Sequence, residues 1–132
     1  MEDVLAQADF VSIHTPLTPE THHLMNRDRF ALMKPNAILI NTSRGPVVDS
    51  DALLSALQSG QISGAALDVT EPEPLPADSP LANHPRVILT PHAAFYSVEA
   101  EPELRRKAAQ NIVTWARTGR PDYPVVHGTR KP

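Results

Sequence analysis

The chain has 132 residues, 41% hydrophobic and 20% charged, with a formal net charge of −3. That is the profile of one ordinary globular domain with room for a core, not of a disordered segment. Basic residues are scattered, which argues against a nucleic-acid or membrane footprint, and no apolar stretch is long enough to span a bilayer. Cysteine is absent, which removes disulfides, thiolate metal sites and cysteine nucleophiles and fits a reducing, cytoplasmic setting.

In chain order, VLAQA near the N-terminus reads as turns of a helix, and the acidic MEDVLAQADF is unlike a signal peptide. DFVSIHT (9–15) is a strand candidate ending in the proline turn PLTPE (16–20). A helix follows around Asn26–Met33, with Asn26 or Asp28 near its start and Phe30, Leu32 and Met33 as apolar contacts; Lys34-Pro35 ends it. AILIN (37–41) is the second strand, turning at Arg44-Gly45-Pro46. Asp49 is placed to cap the helix SDALLSALQS (50–59), whose apolar face is Leu53, Leu54 and Leu57, with Gly60 as its stop.

GAALDV (64–69) is the third strand, and TEPEPLPADSPLANHP (70–85) is a proline-rich loop long enough to suggest a function. RVILT (86–90) is the fourth strand. A long helix around Val98–Thr118 comes next, with Pro102 in its first turn and Leu104, Ala108, Ile112 and Trp115 as its buried stripe; Gly119 closes it. This succession indicates an α/β layer fold with a mainly parallel sheet. Near-continuous apolar strands predict helices on both faces.

Four side chains fall just beyond strand ends: Arg44, Asp68, Glu73 and His92. In an open parallel sheet, ligands bind beyond the carboxyl ends of the strands, so a cation, two carboxylates and an imidazole converge on one rim. A guanidinium suits bidentate binding of a carboxylate, and histidine is the side chain best suited to trade a proton near neutral pH. A carboxylate such as Glu73 close to His92 favours the imidazolium, the form that carbonyl reduction consumes. Singly, each has a plainer reading. Arg44 suits a surface ion pair, Asp68 a turn cap, the acidic EPE (71–73) a solvated loop, and His22, His23, His84 and His127 carry no assigned role. Metal binding needs clustered ligands, and the adjacent His22-His23 has no matching pair at helical spacing, so no metal site is expected. No P-loop or nucleophile elbow occurs, and Ser43 reads as a turn residue.

Taken together, DFVSIHTPLTPETHHLMN, LMKPNAILINTSRGPVVDSDALLSALQSGQISGAALDVTEPEP and HPRVILTPHAAFYS resemble the D-isomer-specific 2-hydroxyacid dehydrogenases over nearly the whole chain, to about Pro124. The resemblance implies a partial doubly wound Rossmann-type parallel sheet, its second half only, with the first βαβ unit missing. It puts the catalytic arginine at Arg44 in NTSRG, the histidine's glutamate partner at Glu73, leaving Glu71 a bystander, and the acid/base histidine at His92 in TPH. Asp68 follows Arg44 by 24 residues and Glu73 follows Asp68 by five, spacings like the family's. Family cofactor contacts map onto Pro16, Leu17, Thr18, Pro19, Glu20 and Thr21, onto Thr42 and Asp68, and onto His92, Ala93, Ala94 and Phe95. Asp68 would hold the nicotinamide carboxamide. The implied cofactor is NAD, with NADP open, and the substrate a small 2-hydroxy or 2-oxo acid.

HAAFYS (92–97) looks closer to the C-terminal-binding-protein branch, which includes corepressors, so a non-catalytic binding or corepressor-like module is the alternative. Phe95 would narrow the substrate pocket. Glycines occur at 45, 60, 64, 119 and 128 only, so no GxGxxG turn is present. The expectation is therefore a truncated enzyme: residues 1–118 form the C-terminal part of the NAD-binding domain, and 119–132 form a tail returning toward the missing substrate domain. Such a chain alone would neither bind dinucleotide tightly nor turn over 2-hydroxy acids. A homodimer or a complementing N-terminal half is the implied partner, with no nucleic acid or membrane.

Overall fold

The computed structural model describes residues 1–124, which fall into two compact units, Met1–Ala94 and a second that begins at Phe95. The first unit holds α1 (Glu2–Gln7), β1 (Phe10–Ile13), α2 (Arg27–Leu32), β2 (Ile38–Asn41), a 3-10 turn (Gly45–Val47), α3 (Ser50–Ser59), β3 (Gly64–Leu67) and β4 (Val87–Leu89). The four strands form one sheet in the order β1-β2-β3-β4, every pair parallel. Consecutive parallel strands require crossovers, supplied here by α2, α3 and the long 70–85 loop.

Register decides which face is buried. Val11, Leu39, Ala65 and Val87 lie abreast, as do Ile13, Asn41, Leu67 and Leu89. Ile13, Leu39, Ala65 and Leu67 are buried in one core with Leu5 of α1, Phe30 of α2 and Leu53 and Leu57 of α3. The opposite face carries Phe10, Ile38, Ile40, Ala66 and Ile88, and there Phe10 is 67% and Ile88 68% exposed. Within the first unit, among the described residues, α1, α2 and α3 all pack on the one face, so the apolar character of the other face is not matched by a helix of the same unit.

Local chemistry sets the helix boundaries. Asn26 caps α2 by accepting the Arg29 N–H at 3.1 Å. Asp49 accepts the N–H groups of Asp51 and Ala52 at 3.0 and 2.9 Å, satisfying two donors that α3 leaves unpaired. Gly60 ends α3 at φ 77°, a left-handed value that suits glycine. Phe30 and Met33 are buried as expected, whereas Leu32 points outward at 39% exposure, because a six-residue helix presents only one narrow face to the core.

In the second unit, α4 spans Ala100–Thr118 and ends at Gly119 with φ 71°. Its return segment is tied to it by Thr114 donating to Asp122 at 2.9 Å and by the Tyr123 N–H donating to Asn111 at 2.9 Å. No residue of α4 is buried, and Leu104, Ile112 and Trp115 remain well exposed. The expected stripe is therefore not buried within this unit, where no second helix or strand stands against α4 among the described residues. Of the expected 119–132 tail, residues 125–132 lie outside the described residues.

Candidate active site

Because the strands are parallel and in register, Asn41, Leu67 and Leu89 end on one level. The residues after them share the same rim. After β2, the Asn41 side chain is fully buried and organises the turn. Its Oδ1 accepts the Ser43 N–H and hydroxyl, both at 3.0 Å, and its amide donates to the Arg44 carbonyl at 2.9 Å. Three bonds from one buried side chain fix the backbone that carries Arg44. The Arg44 guanidinium is exposed and donates to the Ser43 carbonyl at 2.6 Å. Gly45 follows, and a Cβ there would lie 1.9 Å from the Thr70 carbonyl oxygen, so only glycine lets this turn pack on the segment after β3.

After β3, Asp68 is buried and ties the rim together. One carboxylate oxygen accepts the Thr90 hydroxyl at 2.5 Å and the Ala93 N–H at 2.8 Å; the other accepts the Ala94 N–H at 2.9 Å. Burial pushes this carboxyl up, but the Thr90 hydroxyl, the Ala94 and Ala93 N–H groups and the nearby His92 together outweigh it. The carboxyl is held below the usual carboxylate range. Asp68 is therefore ionised at neutral pH.

After β4, His92 adopts φ 53°, the left-handed region that a histidine rarely enters. Its N–H donates to the Asp68 carbonyl at 2.9 Å and the Thr90 carbonyl at 3.0 Å, which holds the strained turn. The ring's Nδ1 lies 2.5 Å from Oε1 of Glu73, reaching across from the proline-rich loop. An ionised Glu73 can only accept, so Nδ1 carries the hydrogen, and Nε2 has no partner among the described residues. A cavity of about 580 Å³ is lined by Asp68, Thr70, Glu73, Pro74, Leu75, Leu89, Thr90, Pro91 and His92, a size that suits a small ligand.

Asp68, Glu73 and His92 thus come together, whereas Arg44, Thr42 and residues 16–21 do not line that cavity. Thr42 is exposed beside the Asn41 turn. The 16–21 turn is closed by Thr21, whose hydroxyl donates to the Pro16 carbonyl at 2.6 Å and accepts the Thr18 N–H at 2.8 Å. Pro16, Leu17, Pro19 and Glu20 are exposed around it. Ala93 and Ala94 contribute N–H groups to Asp68, and Phe95 belongs to the second unit, edge-to-face with Tyr96 at 6.3 Å. Glu71, expected to be a bystander, pairs with His23 at 3.1 Å. Asn41 and Thr90 were not singled out from the sequence. Their position at strand ends, in ILINTS and ILTPH, is the one signal that marks them.

Residues 1–94 match the family model for the D-isomer specific 2-hydroxyacid dehydrogenase, NAD binding domain. A glyoxylate reductase of Thermofilum pendens is 50% identical over 113 residues, covering 86% of this chain and 33% of the relative. A D-isomer specific 2-hydroxyacid dehydrogenase from Lactobacillus delbrueckii ssp. bulgaricus, solved in its NAD complexed form, superposes with a TM-score of 0.85 at 36% identity. That match covers 96% of this chain and 42% of the other. One from Xanthobacter autotrophicus Py2, in complex with NADPH and MES, gives a TM-score of 0.76 at 43% identity over 91% of this chain and 48% of the other. The chain spans about a third of the length of the curated relative it matches.

Proposed function

The chain belongs to the D-isomer specific 2-hydroxyacid dehydrogenases, matching their NAD-binding domain, and on that premise we propose that it supplies the acid–base side of a site interconverting 2-hydroxy and 2-oxo acids. The observation that carries this reading is the Glu73–His92 contact at 2.5 Å, in one cavity with an ionised Asp68. A nicotinamide dinucleotide fits the residues present on two counts. The buried Asp68 carboxylate faces the cavity with one oxygen accepting a single bond, which suits a carboxamide donor. Just beyond β1, the Thr15 hydroxyl is shielded from solvent and has no hydrogen-bond partner among the described residues, a need that a bound ligand would meet. The cofactor we assign is NAD, with NADP as the second choice.

A bound nicotinamide supplies a hydride for reduction and accepts one for oxidation. His92 gives its proton to the substrate's carbonyl oxygen as C2 is reduced, and takes it back from the hydroxyl in the reverse direction. Glu73 accepts a hydrogen bond from Nδ1 and fixes the tautomer, leaving Nε2 to carry the transferred proton. Arg44 has donors beyond the one given to Ser43, and its planar fork would bind the substrate carboxylate and polarise the adjacent carbonyl. Asp68 would hold the carboxamide and, by accepting the Ala93 and Ala94 N–H groups, holds the turn that carries His92.

We assign residues 1–118 to the NAD-binding domain and 119–132 to a tail leading toward a substrate domain, and the edge of the sheet at β1 to pairing with a complementing half. The Thermofilum relative is named a glyoxylate reductase, which favours the enzymatic reading over a corepressor-like module.

The test titrates NADH against the chain, alone and with the N-terminal half of a relative, and then adds glyoxylate or hydroxypyruvate. Enhanced NADH fluorescence and substrate-dependent NADH oxidation are expected only in the mixture. A mixture that binds NADH tightly yet reduces neither acid would overturn the enzymatic reading, and tight binding by the chain alone would overturn the need for a second half.

A further inference from the structure

We propose that His22, His23 and Glu71 form a binding site for one divalent transition metal of the zinc class, separate from the cavity at His92. One ligand atom from each of the three residues lies within 4.8 Å of the other two. His23 Nε2 and Glu71 Oε2 are 3.1 Å apart. Zinc bonds of about 2.0–2.1 Å in a tetrahedral site put donors roughly 3.3–3.5 Å apart, so this pair needs to open by only a few tenths of an ångström. The His22 and His23 rings are stacked at 4.0 Å, and His22 is exposed. It is therefore free to turn its ring until its lone pair meets the same ion.

The backbone under the ligands is already held. The His22 N–H donates to the Thr18 carbonyl at 3.0 Å and the His23 N–H to the Pro46 carbonyl at 2.8 Å. The Glu71 carbonyl accepts the Ser50 hydroxyl at 3.1 Å. His23 sits at φ 50°, a left-handed conformation that needs such support. Two imidazoles and one carboxylate select a borderline cation over calcium or magnesium, and three protein ligands leave a fourth position for water. Glu71 lies 48 residues after His23, so the ion would clip the proline-rich loop onto the segment after β1 and close a long stretch of chain.

The whole chain is titrated with Co2+, followed by its visible absorption, and unfolded thermally with and without Zn2+. One ion per chain, the absorption of a four-coordinate site and a melting temperature raised by Zn2+ are expected. His22→Ala, His23→Asn and Glu71→Gln should each weaken Co2+ binding by about tenfold or more and cancel the thermal shift. Asparagine tolerates the left-handed backbone at 23, and glutamine is isosteric at 71, so these two variants keep the fold. The double variant His84→Gln/His127→Gln should bind like the wild type. Absence of Co2+ binding by the wild-type chain overturns the site. So does wild-type affinity in site variants with a native far-UV spectrum, or loss of binding in the double variant.

Discussion

Nδ1 of His92 lies 2.5 Å from Oε1 of Glu73, although the two residues come from different segments beyond β3 and β4. The carboxylate fixes one ring nitrogen as a donor, so the other is left to exchange protons. With a complementing half supplied, His92→Ala should lower kcat by about 10²–10⁴-fold while the NADH dissociation constant is kept. Glu73→Gln should lower it less, because the amide oxygen still accepts the Nδ1 hydrogen. Steady-state kinetics beside NADH fluorescence measures both, and full activity in His92→Ala would sink the assignment.

Asp68 yields a pH prediction. Its carboxyl is held below its ordinary value in the folded chain. A depressed folded value means that the ionised form favours folding. The contribution is fully present above the unfolded value of about 3.9 and is lost as pH falls through the lower, folded value. In urea unfolding, the stability difference between wild type and Asp68→Asn should be constant above about pH 5 and shrink below about pH 4. Asp68→Asn should cost about 1–3 kcal/mol at neutral pH, since the amide group cannot accept from every one of Thr90, Ala93 and Ala94, and should flatten the acid limb. Identical pH profiles for the two proteins would refute the argument.

Two glycines separate crowding from backbone conformation. A Cβ at Gly45 would meet the Thr70 carbonyl oxygen at 1.9 Å, whereas at Gly60 it would meet nothing within 4 Å but has φ 77°. Gly60→Ala should therefore cost about 1–2 kcal/mol from the left-handed backbone alone. Gly45→Ala must displace backbone, and its cost should reach or exceed the 1–3 kcal/mol typical of overpacking. Chemical denaturation ranks them, and Gly60→Ala as the more damaging change would contradict the close approach at Thr70.

Asn41 and Arg44 should act in sequence. Asn41→Ala removes three bonds from a fully buried site and should destabilise by about 1–3 kcal/mol. Arg44→Ala should leave stability unchanged, because the side chain is exposed, while raising the KM for the oxo acid. Arg44→Lys should not restore it, since an ammonium lacks the planar fork. Unfolding midpoints and KM values in the complemented enzyme separate the two effects. An unaltered KM in Arg44→Ala would remove arginine from the substrate site.

Much of this architecture was legible because its signals are local. Asp49 and Gly60 bracket α3 as the residue types at those positions demand, and the apolar runs mark β1 to β4 within a residue or two. The choice of Glu73 over Glu71 came from resemblance, since both precede proline in EPEP and nothing local separates them. Periodicity misled at Leu32 and along α4. It identifies an apolar face but not what covers that face, so Leu104 and Trp115 read as core and are exposed.

By itself the amino-acid order determined the parallel α/β class, the strand ends at which Arg44, Asp68 and His92 stand, and the chemical repertoire on that rim. Tertiary structure decided which groups meet. The proline-rich loop puts Glu73 on His92 and Glu71 on His23, Asp68 receives Thr90, Ala93 and Ala94, and Asn41 is buried beneath Arg44. Helix caps and apolar alternation are set by neighbours a few residues away and can be read along the chain. Pairings across tens of residues depend on sheet register and loop closure, which no local pattern encodes.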